Sequence, residues 1–232
     1  MSAIAQGSEP QTPNRVSKSD QPITLNKKRL REAAEAVALL DQDLARILAD
    51  LGPPPLWARK PGFATMLRII LEQQVSLASA DAMYRRLTDH IKPLTPLTVL
   101  QFGAPSLRTL GVTRQKAAYF INLAEAVQNG AIKVIELGTK SDRSVFDKLT
   151  SVNGIGPWTA NIYLLMALRR PDAWPVGDVA LASAVQKLKG LEKRPSQPEL
   201  TEIANSWQPY RSTAARLLWH YYLNGMPRAQ KT

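Results

Sequence analysis

The sequence predicts an all-α fold, and three observations carry that prediction. Apolar residues recur at intervals of three and four along most of the chain. Proline and glycine clusters interrupt these runs at helix-like lengths. No stretch alternates apolar and polar residues as a half-buried strand would, and no motif returns at a fixed period.

The elements follow in chain order. Residues 1–25, rich in Ser, Gln, Pro, Thr and Gly, cannot bury a core and read as a disordered tail. Lys27-Lys28-Arg29-Leu30-Arg31 reads as the solvated start of a helix, with a DNA-contacting or nuclear-import cluster as the weaker alternative. From Arg29 to Leu51 the residues Leu30, Ala33, Ala34, Val37, Leu40, Leu44, Ile47, Leu48 and Leu51 form one apolar stripe, so one helix is expected. Gly52-Pro53-Pro54-Pro55 stops it. Pro61-Gly62 opens the next helix, with Phe63, Met66, Leu67, Ile70 and Leu71 inward. It passes through Glu72-Gln73-Gln74-Val75-Ser76 into a stretch over Ser79 to Ile91. Pro93 and Pro96 break that run, and short helices are expected near 98–102 and 106–110.

Thr113 N-caps a helix carrying Ala117, Phe120, Ile121, Ala124 and Val127, which stops at Asn129-Gly130. Another begins near Ser141-Asp142, with Val145, Phe146, Leu149 and Val152 inward. Asn153-Gly154-Ile155-Gly156-Pro157 turns the chain into a helix expected over Trp158 to Arg169. After a connection over 171–177, Asp178 starts a helix to about Leu188. Two last helices occupy roughly 198–206 and 209–224, and residues 227–232 form a C-terminal tail.

Composition narrows the function. The 232 residues include 30 Lys and Arg against 19 Asp and Glu, a net charge of +11 that suits a polyanionic partner. With no cysteine there are no disulfides, thiolate zinc sites, iron–sulfur clusters or cysteine nucleophiles. Two histidines leave little material for a two-His metal motif or a Ser-His-Asp triad. The longest apolar runs, such as Ile162 to Leu168, are too short to span a bilayer, and the N-terminus does not read as a signal peptide.

The segment Leu149 to Ala160 is the most informative. Two helices meet through a turn with two glycines, which allow φ > 0 and close backbone approach. Pro157 suits the first turn of the second helix, and the free amides there form an anion site. On a basic protein the natural anion is a DNA phosphate. Read alone, the same residues also suit an ordinary helical corner. Pro175-Val176-Gly177-Asp178-Val179 adds a carboxylate behind a glycine turn, which by itself is most simply an N-cap. Trp158, Trp174, Trp207 and Trp219 all fall in the same half of the chain, which points to an aromatic site beside the turn.

Leu149 to Ala160 followed by Pro175 to Asp178 resembles the helix-hairpin-helix, Gly/Pro-rich, aspartate motif of the DNA glycosylase superfamily. Phe63, Ile69 to Ser76, Leu110 to Ala117 and Trp207 to Ser212 are similar to the 3-methyladenine DNA glycosylase II branch. The resemblance runs from Phe63 to Asn224 and implies a two-lobed helical fold. One lobe combines 26–61 with 171–226, and the other is 62–170, with a DNA cleft between them. Some relatives carry an extra N-terminal mixed domain, whereas this chain is expected to take the compact form.

The resemblance also implies a set of roles. Asp178 is the catalytic aspartate. Gly154, Gly156 and Thr159 grip a phosphate near the lesion, and the backbone carbonyls of Thr150, Val152 and Gly154 hold a monovalent cation, Na or K. Gln74 is the wedge that fills the gap left by a flipped base. Trp158 and Trp219 line the base pocket, with Tyr163 and Tyr222 as further lining residues. Ile162 and Val179 stand where some relatives have pocket tyrosines, which makes this pocket less aromatic. Bifunctional relatives carry a lysine nucleophile at the Trp158 position, and tryptophan cannot form a Schiff base.

The expected activity is monofunctional release of alkylated purines from duplex DNA, with no cofactor for catalysis and no AP-lyase step. The expected partner is double-stranded DNA with damaged bases. No membrane partner is expected, and the state is that of a monomer. The location is cytoplasm and nucleoid in a bacterium or nucleus in a eukaryote. A glycosylase for uracil, thymine mispairs or deaminated purines, and a non-enzymatic DNA-binding module, are the alternatives. A basic membrane-surface protein is a distant third.

Overall fold

A computed structural model describes residues 22–226; of the tails expected over 1–25 and 227–232, residues 1–21 and 227–232 lie outside the described residues. Order begins slightly earlier than the sequence suggests. Leu25, placed in the tail by composition, is buried, and its amide donates to the Arg169 carbonyl at 2.8 Å. Among the described residues there are eleven α-helices and no strand.

The N-terminal stripe forms two helices rather than one: α1 (Lys27–Leu40) and α2 (Gln42–Leu51). Asn26 caps the first through the Arg29 amide, and the basic cluster is the exposed first turn. Asp41 breaks the run because its carboxylate is used three times. It accepts from the Asp43 amide at 2.9 Å, from Lys189 Nζ at 3.0 Å and from Trp207 Nε1 at 2.9 Å. Leu40 consequently faces solvent instead of extending the stripe.

The middle of the chain follows the expected order. α3 (Phe63–Glu72) and α4 (Leu77–His90) are joined by the Gln73–Ser76 turn, and Ser76 caps α4. α5 (Pro96–Thr109) contains two helical pieces separated at Gly103, whose φ of 76° no helix tolerates. α6 (Arg114–Gln128) is capped by Thr113. A 3₁₀ turn over Val134–Thr139 carries no apolar periodicity and escaped the sequence reading. α7 (Asp142–Thr150) and α8 (Pro157–Ile162) are the two arms of the hairpin.

The helix expected to continue to Arg169 changes form. Tyr163–Ala167 is a π segment, closed by the Leu168 amide on the Tyr163 carbonyl at 3.0 Å. Outside donors draw its carbonyls away from the helix. Arg216 Nη2 donates to Leu165 O at 2.7 Å, and the Arg59 amide donates to Met166 O at 3.0 Å. Such π turns recur at functional sites. α9 (Val179–Leu188), α10 (Gln197–Asn205) and α11 (Arg211–Leu223) complete the chain.

Two sets of helices pack mainly among themselves. α1, α2, α9 and α10 surround α11, while α3 to α8 assemble around α3 and the α5–α6 pair. Arg216 links the two sets. It is fully buried, and its guanidinium donates to Leu56 O at 3.1 Å, Ser212 O at 3.0 Å and Leu165 O at 2.7 Å. Burial pushes its pKa down to about 9, so the group stays cationic at neutral pH with backbone carbonyls as its partners. Arg216→Met strands the Leu56 and Leu165 carbonyls, at ~1–3 kcal/mol for each buried unsatisfied group. The expected result in urea unfolding is a loss of about 3 kcal/mol or more; a loss within experimental error would contradict this role.

Candidate active site

The site begins with the connection after the π segment. Arg211 grips Asp172 with Nε–Oδ1 at 3.0 Å and Nη2–Oδ2 at 2.7 Å. Ser212, fully buried, receives the Ala173 amide at 2.9 Å and donates to the Ala173 carbonyl at 3.0 Å. The start of α11 thus clamps the entry to Pro175–Asp178. Gly177 then turns the chain at φ 83° and delivers Asp178 to the N-cap of α9.

Asp178 is both an N-cap and the centre of an aromatic cluster. Its Oδ1 accepts from the Leu181 amide at 2.9 Å and from Trp219 Nε1 at 3.3 Å, and its Oδ2 accepts from Trp158 Nε1 at 3.0 Å. Three N–H groups from α8, α9 and α11 therefore orient one carboxylate. The helix N-terminus adds a favourable dipole. Asp178 and Trp158 are half-buried, so the carboxylate remains within reach of a ligand.

Trp57 completes the cluster and was not recognised from the sequence. It sits edge-on to Trp219 with ring centroids 6.4 Å apart, on a left-handed backbone at φ 43°. The signal was its position as the one tryptophan outside the C-terminal half, directly after the Pro53–Pro55 run. Conversely, Trp174 and Trp207 form their own buried edge-on pair at 5.7 Å, and Trp207 serves Asp41. The four-tryptophan grouping thus divides into two at the site and two in the core.

Two further expectations are corrected. Tyr163 does not line a pocket: it is buried, and its hydroxyl accepts the Gly62 amide at 3.1 Å. Burial pushes its pKa up to about 12. Thr159 does not present its side chain to a phosphate: it is buried, and Oγ1 accepts Gln73 Nε2 at 2.9 Å. Tyr222 is exposed one helical turn beyond Trp219, Ile162 is core, and Val179 is exposed beside Asp178.

The two hairpin glycines have different physical causes. Gly154 adopts φ 101°, and a Cβ there would lie 2.2 Å from the ring of Tyr119. It must be glycine for internal packing. Gly156 has an ordinary φ of −86°, and a Cβ there would meet nothing within 4 Å. Nothing inside the protein requires that glycine, so its surface is left open to an approaching backbone or phosphate. The amides of Gly154, Gly156, Trp158 and Thr159 have no acceptor among the described residues.

At the expected cation position, the Gly154 carbonyl accepts Gln73 Nε2 at 3.0 Å and the Val152 carbonyl accepts the Ile155 amide at 3.0 Å, and each oxygen keeps a second lone pair. Among the described residues there is no cluster of His, Cys, Asp or Glu that could hold a metal ion.

Gln74 stands exposed in the α3–α4 turn on a left-handed backbone, φ 57°. Its neighbour Gln73 and Lys116 fix that turn. Lys116 Nζ donates to Leu71 O at 2.7 Å and Gln73 O at 2.8 Å, and burial lowers its pKa. Neither residue was singled out for this from the sequence.

A hairpin with an open glycine, facing a carboxylate bracketed by indoles, defines a helix-hairpin-helix protein with an acid-centred aromatic site. The family model described as "HhH-GPD superfamily base excision DNA repair protein" matches residues 67–209, and the chain belongs to that family. A Bacillus subtilis DNA-3-methyladenine glycosylase is 32% identical over 113 residues, covering 49% of this chain and 37% of its own. Another Bacillus subtilis relative, 27% identical, is matched over 76% of this chain and 64% of its own, so this chain spans less than two thirds of both. The crystal structure of a Bacillus halodurans DNA-3-methyladenine glycosidase superposes with TM-score 0.70 at 28% identity, over 82% of this chain and 88% of that one. The Schizosaccharomyces pombe 3-methyladenine DNA glycosylase, solved with abasic DNA, shares the fold at TM-score 0.78 and 23% identity, over 85% and 100% of the two chains.

Two predictions follow the geometry. Gly154→Ala is expected to lower the melting temperature sharply, whereas Gly156→Ala keeps it and weakens duplex DNA binding, measured by fluorescence anisotropy. Equal effects of the two on stability would refute the distinction. For Tyr163 the folded pKa lies above the unfolded value of about 10, so its contribution is complete below pH 10 and is lost as the pH rises through 12. That loss, roughly 2–3 kcal/mol, is expected in urea titrations of the wild type between those pH values and to be absent in Tyr163→Phe.

Proposed function

We propose that this chain is a monofunctional DNA glycosylase that flips alkylated purines of the 3-methyladenine and 7-methylguanine type out of duplex DNA and hydrolyses their N-glycosidic bonds, leaving an abasic site. The observation that carries the reading is Asp178 held at both oxygens by Trp158 and Trp219, next to the open hairpin glycine.

The chemistry follows from the substrate. A base in a duplex is out of reach and must be extruded, at ~a few kcal/mol. In this reading Gln74 enters the gap. The amides at Gly154 and Gly156 hold a nearby phosphate, and the two lobes enclose the bent duplex in their cleft. Alkylation leaves the purine cationic, and indole faces attract a cation by ~0.5–2 kcal/mol per well-placed ring. The same positive charge makes the base a good leaving group. Asp178 then stabilises the oxocarbenium-like charge on the sugar and orients the water that attacks it. Its three N–H partners hold the carboxylate in place before substrate arrives, so little reorganisation is needed during reaction.

Tryptophan at position 158 supplies no amine, which supports hydrolysis without strand cleavage. A purine that is cationic while attached takes the bonding pair and departs as a neutral base without a Lewis acid, so the reaction requires no cofactor; any monovalent ion at the hairpin is structural. The protein acts as a monomer on chromosomal DNA, in the nucleoid of a bacterium or the nucleus of a eukaryote. Val179, exposed beside Asp178, leaves an aliphatic rather than aromatic margin there, whereas Ile162 is withdrawn into the core.

The direct test is base release from methylated duplex DNA, followed by chromatography in EDTA, with wild type and Asp178→Asn compared. Wild type is expected to free 3-methyladenine or 7-methylguanine without cutting the strand, and the variant to bind DNA but free no base. Equal release by both would remove Asp178 from the chemistry. Borohydride trapping of a covalent enzyme–DNA adduct would overturn the monofunctional assignment. Trp158→Phe and Trp219→Phe each delete one donor to the carboxylate and are expected to slow release by about tenfold or more.

A further inference from the structure

Beyond the residues that meet DNA in the reading above, one set of contacts joins the hairpin to the α3–α4 turn. Gln73 Nε2 donates to both the Gly154 carbonyl (3.0 Å) and the Thr159 hydroxyl (2.9 Å). The backbone of the same residue is held from the other side, where Lys116 Nζ donates to Gln73 O and Leu71 O. Lys116 belongs to α6, and the next two residues along that face reach the hairpin. The Tyr119 ring covers Gly154, with its hydroxyl bound by Gln115 at 2.6 Å, and Asn122 Nδ2 donates to Asn153 O at 3.3 Å.

One face of α6 therefore splints two loops that are distant in sequence, and Gln73 is the direct bolt between them. The next residue, Gln74, is exposed and held in the left-handed region, a conformation costing a non-glycine residue ~1–3 kcal/mol unless its surroundings impose it. The bonds on Gln73 and Lys116 are those surroundings.

We propose that Gln73 is a positioning residue that locks the Gln74 turn to the hairpin, so that phosphate capture and entry of Gln74 into the duplex occur as one rigid-body event. The proposal rests on the Gln74 wedge reading but not on the identity of the base released. It gives Gln73 no contact with the reacting atoms.

The test uses full-length protein and a duplex carrying a tetrahydrofuran abasic analogue with 2-aminopurine beside it, whose fluorescence reports local unstacking. Wild type is expected to raise the fluorescence. Gln73→Leu is expected to lower the equilibrium for unstacking by about tenfold, the scale of two lost hydrogen bonds, while affinity for undamaged duplex stays within about twofold of wild type. Gln74→Ala should lose the signal, and the double variant should be no worse than Gln74→Ala, because one residue acts through the other.

If Gln73→Leu fails to fold by thermal melting, Thr159→Val removes one of the same hydrogen bonds with little change of shape and is judged by the same criteria. Wild-type fluorescence in the variant, additive losses in the double variant, or no response from wild type would each overturn the proposal. Base release is scored separately. A wild type that unstacks the duplex but frees no methylated purine would remove the glycosylase reading and leave this one standing.

Discussion

The site depends first on a cation that never touches it. Arg216 is buried on α11, and its donors reach the loop at Leu56 and the π segment at Leu165. Each of those elements carries a tryptophan of the site. Trp57 follows Leu56, Trp158 opens the helix that becomes the π segment, and Trp219 lies one turn along α11. A buried guanidinium is costly to desolvate and tolerates few alternative geometries. Satisfying it with carbonyls from three elements sets their relative positions more narrowly than apolar packing would. The distortion of the helix after Ile162 is the local consequence, since its carbonyls turn outward toward Arg216 and Arg59.

On that frame, Asp178 shows that a structural and a chemical reading of one residue need not compete. As an N-cap it accepts the Leu181 amide, which any capping aspartate does. The remaining acceptor capacity goes to two indoles from different helices. Capping fixes the backbone and one oxygen, and the indoles fix the other oxygen and the plane of the carboxylate. The clamp of Arg211 and Ser212 on Asp172 and Ala173 gives a structural reason for the Trp207–Ser212 segment, which sequence alone marks only by resemblance.

The hairpin likewise combines two kinds of glycine. Gly154 is required by Tyr119 and a positive φ, while Gly156 leaves room on the outside. Beside it, Thr159 has turned inward to receive Gln73, so the outward face of the turn offers backbone amides rather than a hydroxyl. A surface built from amides and small residues leaves room for an anion to approach the backbone closely.

The sequence by itself determined the helical class, the placement of most helices, the hairpin, and Asp178 at the start of α9. These are local matters of periodicity, capping and turn chemistry, encoded within a few residues. It did not determine where long-range hydrogen bonds would override a local pattern. Asp41 divides a continuous apolar stripe because Lys189 and Trp207 meet it from far along the chain. Tyr163 and Thr159 face inward because Gly62 and Gln73 arrive there, and Trp57 joins the site through Trp219. Gln73 and Lys116 look like ordinary polar residues until α3, α6 and the hairpin come together. A side chain's type is local information, but its partner is settled only by packing, and packing decided which polar and aromatic residues form the site.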